Sequence, residues 1–311
     1  MMRYRSLGRT GLQVSELAVA VCGAGDDPEE ARATLALAFD RGINAVTIDA
    51  GDADGVRLLG ASLGQAPDKA GIHVIARPTS LVPFDLPSPH VPAQHAYPGA
   101  HLRAEVERLR TALGVERLAL VQLHAWCPEW LHEGDWLDTL RRLRAEGKIA
   151  GFGISLFDHD IEAAPEAVAS GMIDAVQLMH NVFDPAGAAL FPHCQAHDVA
   201  MVVRAPLYYG AIAPGFGEAV FSDRDWRRGY FFDAHRRETV ARVHNLADTT
   251  GSPERSVTDL ALRFCLSHPA VSTVAVGMCR REHLEANLRA MLAGPLDADS
   301  RAALARHKWL V

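Results

Sequence analysis

A short apolar run, Leu118-Ala119-Leu120-Val121-Gln122-Leu123, ends abruptly in His124. That pattern predicts a buried strand delivering an imidazole to its carboxyl end. An imidazole there can act as acid, base or hydrogen-bond donor to a substrate oxygen; it can equally serve packing or strand-end hydrogen bonding. Three carboxylates, Asp49, Asp52 and Asp54, crowd a second segment that follows an apolar run. Asp49 or Asp52 could supply a general base, or an acid if burial raises its pKa. Asp54 precedes Gly55-Val56-Arg57 and reads as a helix cap or turn residue. Arg77 ends a third run and could hold an anionic group, since a guanidinium does not give up its proton near neutral pH. Trp126, two residues past His124, could wall a planar substrate or simply pack its loop. His180 and Asn181 end a further run and could line the same pocket. Asp49, His124 and His180 together could hold iron or zinc, but no tight ligand spacing supports it, and no metal is expected.

These residues need a frame that gathers strand ends. Eight short apolar runs predict strands over 16–21, 44–48, 72–76, 118–123, 150–154, 175–178, 200–203 and 272–276. Helical stretches follow them, over 28–40, 100–113, 136–145, 185–197, 233–248 and 281–291. The helical period is clearest where Leu102, Val106, Leu109 and Leu113 recur on one face. Eight βα units in a chain of 311 residues point to a single-domain α/β protein, a (β/α)₈ TIM barrel spanning 1–311. A doubly wound sheet with fewer strands is the structural rival. In a barrel the chemistry sits where strands end and βα loops begin, and the long loops 78–98 and 208–230 fall on that face.

Motifs spread along the chain resemble those of the aldo-keto reductases. The opening Tyr4-Arg5-Ser6-Leu7-Gly8-Arg9-Thr10-Gly11-Leu12-Gln13-Val14-Ser15 resembles that family's N-terminal β-hairpin. Glu146-Gly147-Lys148-Ile149-Ala150-Gly151-Phe152-Gly153-Ile154-Ser155 resembles its approach to the fifth strand, and Val276-Gly277-Met278 through Asn287 its adenosine-binding loop and helix. An additional helix over 257–266 fits its plan of extra C-terminal helices. The resemblance implies a catalytic tetrad of Asp, Tyr, Lys and His, in which Lys lowers the pKa of Tyr, Asp holds Lys, and Tyr protonates a carbonyl. Here only His124 matches clearly. Counting on from Gly42-Ile43-Asn44 puts Thr47 at the place of the Asp and Asp52 at that of the Tyr; counting back from Leu59-Gly60 shifts this, and neither count finds a Tyr. Pro78 falls at the place of the Lys, with Arg77 beside it.

The cofactor motifs are better kept. By the resemblance, Ser155 and Gln177 would hold the nicotinamide amide, with Leu156 replacing an Asn. Arg204-Ala205-Pro206-Leu207 resembles the turn that lies along nicotinamide and pyrophosphate. Gly277 leads into the last helix, Arg280 or Arg281 could meet a 2′-phosphate, and Asn287 and His283 fall where the family contacts adenine. NADP(H) is thus the cofactor implied.

A net charge of -7 and the lack of a basic run argue against nucleic acid or an anionic membrane as partner. Five cysteines without CxxC spacing suggest a reducing compartment, and the beginning of the chain has no long apolar stretch, so a cytoplasmic protein acting on a small molecule is expected. The missing Tyr and Lys make non-redox acid–base chemistry around His124 the leading expectation: dehydration, lyase, isomerisation or cyclisation. The alternatives are an NADP(H)-dependent carbonyl or alcohol oxidoreductase with an atypical proton donor, and a non-catalytic barrel that senses nucleotide or metabolite.

Overall fold

The structure, a computed structural model, describes residues 1–21, 27–83, 91–223, 225–249 and 256–310. Cys22 and the middle of the predicted 78–98 loop lie outside the described residues.

Eight parallel strands close a barrel: β3 (Leu17–Val21), β4 (Ala45–Asp49), β5 (His73–Arg77), β6 (Leu118–His124), β7 (Ile149–Ser155), β8 (Ala175–Met179), β9 (Ala200–Arg204) and β10 (Val271–Gly277), with β10 pairing back onto β3. The eight runs expected from the sequence are these eight strands, and the doubly wound rival falls away. Alternation sorts their side chains. On the outer face, Leu17, Val19, Val46, Val121, Ile154, Val176, Val203 and Val274 join the helices in the main core. Inside, Ala18, Ala45, Ile75, Leu120, Ala175, Ala200, Val202 and Ala275 form a second cluster with Leu7 and Val14. Many of these inner residues are small, because the hairpin's Leu7 and Val14 fill the bottom.

That hairpin pairs β1 (Tyr4–Ser6) with β2 (Gln13–Ser15) in antiparallel register. Arg3 and Arg5 both engage Glu16, and Arg5 also donates to the carbonyls of Leu266, His268 and Val271, tying the plug to the last strand.

The helices cover the outside: α1 (Pro28–Asp40), α2 (Ala53–Gln65), α3 (Ala93–Ala96), α4 (Gly99–Leu113), α5 (Trp136–Ala145), α6 (Pro165–Ala169), α7 (Phe191–Ala196), α8 (Arg227–Tyr230), α9 (Asp233–Thr249), α10 (Val257–Leu266), α11 (Arg281–Leu292) and α12 (Ala298–Ala305). Their starts follow local chemistry. Asp27 accepts from the amides of Glu29 and Glu30, with Pro28 in the first turn of α1. On α4, Leu102, Val106, Leu109 and Leu113 are buried, as their spacing requires. Among the described residues no helix is long and apolar enough to cross a membrane.

Candidate active site at the carboxyl face of the barrel

Inward positions at the ends of β4, β5, β6, β7 and β9 bring Asp49, Arg77, His124, Ser155 and Arg204 to one face. Asp49 and Arg77 are register partners. The guanidinium grips the carboxylate through Nε and Nη2, each 2.5 Å from an oxygen. This fork-on-carboxylate geometry is the one Arg favours. Arg77, rather than Pro78, therefore presents its side chain to the strand-two carboxylate. Of the two aspartates left open by the sequence, Asp49 stands at the strand end. Asp52 instead caps α2, its side chain accepting from the Gly55 amide at 2.9 Å. A helix cap is a structural reason for an Asp at 52, and Asp49 is the aspartate that the strand register sets beside Arg77.

His124 is paired in register with Ser155, and its Nδ1 lies 2.9 Å from the Ser155 hydroxyl. Burial, then the nearby charges of Arg77 and Arg204, lower its pKa to about 3. The ring is thus neutral under ordinary conditions. Nδ1 is committed to Ser155, which leaves Nε2 for a ligand. A Ser155 hydroxyl that donates to Nδ1 keeps the ring proton on Nε2 as a donor. The backbone carbonyl of His124 is itself held, accepting from the buried hydroxyl of Tyr97.

On the cofactor side Ser155 and Gln177 are again register partners. Gln177 is buried, and its Oε1 has no hydrogen-bond partner. A buried amide oxygen without a donor is costly. A carboxamide N–H would satisfy it, so the residues present fit a nicotinamide amide. Leu156 at the place of the family's Asn is buried, and its amide donates to the Gln177 carbonyl. Arg204 donates to the Leu156 carbonyl at 2.9 Å and to the Tyr209 hydroxyl at 3.1 Å, and it pairs with Asp158. Tyr209 donates to that same carboxylate. Sequence reasoning missed Asp158 and Tyr209: neither stands in a recognisable motif, and their partnership spans 51 residues. Leu207 is half-buried beyond Arg204. Gly277 is exposed at the end of β10, Arg280 is exposed just before α11, and Asn287 is buried on that helix.

Two expected residues turn away. Trp126 is buried among Trp130 and Trp136, with ring centroids 5.9 and 5.5 Å away, and its indole N–H donates to the Ala163 carbonyl. It belongs to the layer between barrel and helices and walls no pocket. His180 falls one residue past β8 on the outward side, stacked on Phe264 and edge-on to Phe191. Burial lowers its pKa to about 4. Its side chain lies away from the strand-end cluster, and among the described residues Asp49, His124 and His180 form no group that could hold a metal ion. Alternation from the inward Gln177 already points His180 outward, whereas Trp126 lies two residues past β6, where the turning chain no longer follows alternation. An open groove of about 900 Å³ lies on the loop after β9, lined by Phe221, Phe232, Arg228 and Arg237 among others. It shares no residue with the strand-end cluster.

Residues 23–308 match the model of the aldo/keto reductase family. The chain belongs to the aldo/keto reductase family. An uncharacterized oxidoreductase of Bacillus subtilis is 25% identical over 307 residues, covering 98% of this chain and 96% of its own. An uncharacterized oxidoreductase of Schizosaccharomyces pombe is 24% identical over 189 residues, 61% of this chain and 52% of that one. The fold is that of the aldo-keto reductase AKR11C1 from Bacillus halodurans. Its holo form has a TM-score of 0.79 at 22% identity, covering 100% of this chain and 98% of that one. Its apo form has a TM-score of 0.73 at 23% identity with the same coverage.

Proposed function

We propose that this chain is an NADP(H)-dependent carbonyl or alcohol oxidoreductase in which Arg77 and a neutral His124 take over the handling of the substrate oxygen. The observation that carries this reading is the Asp49–Arg77 pair beside a His124 whose Nδ1 is committed to Ser155, one strand from the unpartnered amide oxygen of Gln177. The family and the names of its relatives as oxidoreductases support it.

When bound, NADPH supplies the hydride. Ser155 and Gln177 would hold its carboxamide, Arg204 and Leu207 would flank the nicotinamide and pyrophosphate, and Gly277, Arg280 and Asn287 would take the adenosine end. As the carbonyl carbon is reduced, negative charge collects on its oxygen. Arg77 and the Nε2–H of His124 are donors aimed at that charge, preorganised by Asp49 and Ser155. A guanidinium gives up no proton, so water delivers the final one. On this reading the chain works without the family's Tyr and Lys. Since general acid catalysis is worth about 10²- to 10⁴-fold, the enzyme works slowly on unactivated aldehydes and better on activated carbonyls.

The non-redox reading has less support. It needs an acid and a base that exchange protons near neutral pH, yet His124 is held neutral by burial and two arginines, and Asp49 is occupied by Arg77. The test is NADPH binding followed by fluorescence, then NADPH oxidation with a panel of aldehydes, ketones and dicarbonyls. Oxidation that depends on Arg77 and His124 supports the reductase. Binding without oxidation would point to a nucleotide sensor, and no binding would return the non-redox reading to the front.

A further inference from the structure

Three strand ends carry the groups that would face the substrate oxygen, and each end is held by a side chain from the segment between β5 and β6. Tyr97, at the junction of α3 and α4, donates its hydroxyl to the carbonyl of His124 and lies 3.5 Å from the carbonyl of Pro78. Arg108 on α4 donates to the carbonyl of Ala50, the residue after Asp49. Glu105, one turn earlier, accepts from the amide of Thr79, two residues after Arg77, and forms a two-point pair with Arg108. None of these residues needs substrate contact to matter. Active-site donors have to be fixed to about half an ångström, and a shift near 1 Å can cost about a hundredfold.

We propose that Tyr97, with the Glu105–Arg108 pair, is a positioning set that fixes the spacing of Asp49, Arg77 and His124. The clearest sign is Tyr97 itself. It is 1% exposed, mounted edge-on against Trp130 at 5.6 Å, and its hydroxyl donates to a strand-end backbone carbonyl. Its burial also raises its pKa, so the hydroxyl remains a donor throughout the working pH range. Tyr97 also lies near Asp49 and Arg77, and its hydroxyl proton points to the His124 carbonyl.

This inference rests on the oxidoreductase reading for its kinetic test, and on His124 itself for a second test independent of activity. Tyr97→Phe keeps the ring and its packing. It should lower kcat about tenfold while the Kd for NADPH stays within about twofold, because the cofactor residues lie on other strands. In a His124→Ala background the same substitution should cost less than about twofold, since the residue acts through His124. The imidazole nitrogen resonances of His124 should move in Tyr97→Phe whether or not any carbonyl is turned over. A tenfold loss that persists without His124, an unchanged kcat, or unmoved His124 resonances would each overturn the proposal. If no carbonyl oxidises NADPH, the function proposed above fails, and the His124 resonances alone decide this one. Should Tyr97→Phe not fold, Glu105→Gln, which weakens the grip on Thr79 and Arg108, must show the same split between kcat and cofactor affinity.

Discussion

Asp49 and Arg77 face each other across adjacent strands, in register, with both arms of the guanidinium 2.5 Å from the carboxylate. The pair holds a guanidinium at the mouth of the barrel, close enough for its charge to lower the pKa of His124. Arg77→Lys keeps the charge but loses the two-point grip. It should lower kcat by about tenfold. Arg77→Gln removes the charge and should cost about 10²- to 10³-fold, the range seen when one oxyanion donor is lost. Steady-state rates of NADPH oxidation check both, and equal rates for the three proteins would show that Arg77 plays no part.

The cofactor assignment makes a separate claim. Gln177→Ala removes the unpartnered acceptor, and NADPH affinity should fall about tenfold by titration calorimetry. Arg280→Ala should narrow the preference for NADPH over NADH, as Arg280 is the exposed cation before α11. A parent protein that binds NADH more tightly than NADPH would remove that role from Arg280.

Acid should weaken the fold through two histidines. His124 and His180 have folded pKa values of about 3 and about 4, below the ordinary 6.5. The unfolded chain therefore binds protons that the folded chain refuses as pH falls below about 6.5. Stability is constant above that point and declines below it, by up to about 1.4 kcal/mol per pH unit per group. His159 works in the opposite sense. Its bond to Asp184 raises its pKa, so its contribution is full in acid and fades as pH rises through the folded value. Urea melts from pH 4 to 8 should show the net decline toward acid, and His180→Phe should flatten it. The same neutrality of His124 predicts a kcat/KM with no histidine titration between pH 5 and 8.

Trp126 should matter for stability and not for substrate. Trp126→Ala opens a cavity in the layer of Trp130, Trp136 and Leu140 and should cost about 3–5 kcal/mol. Trp126→Phe should leave KM within about twofold. A KM change much larger than the stability change would return Trp126 to the pocket wall.

The barrel was legible because its signal is repetitive: eight apolar runs alternate with longer amphipathic stretches, and every predicted strand formed. His124 could be picked out because it ends an apolar run, while Ser155, Gln177 and Arg204 came from the resemblance to the aldo-keto reductases; the structure places each of the four in or at the end of a barrel strand. Trp126 was not legible, since it follows its strand by two residues and the turn there carries the side chain outward; His180 was misread although alternation from Gln177 already points it outward. Asp158, Tyr209, Tyr97 and Glu105 were hidden for another reason. Their partners lie far away in sequence or are backbone atoms, and no spacing rule reports such contacts. The Asp49–Arg77 pair lay between these cases: both residues were noted, but only the strand register joins them.

Hydride transfer at this site is what the proposed function requires. Stopped-flow absorbance of NADPH mixed with saturating enzyme and an activated dicarbonyl tests it most directly, with His124→Ala as the companion. The account predicts stoichiometric loss of NADPH absorbance, slowed by deuterium at the transferred position and at least about tenfold slower in His124→Ala. NADPH that binds yet is never oxidised by any carbonyl, or oxidation equally fast without His124, would contradict it.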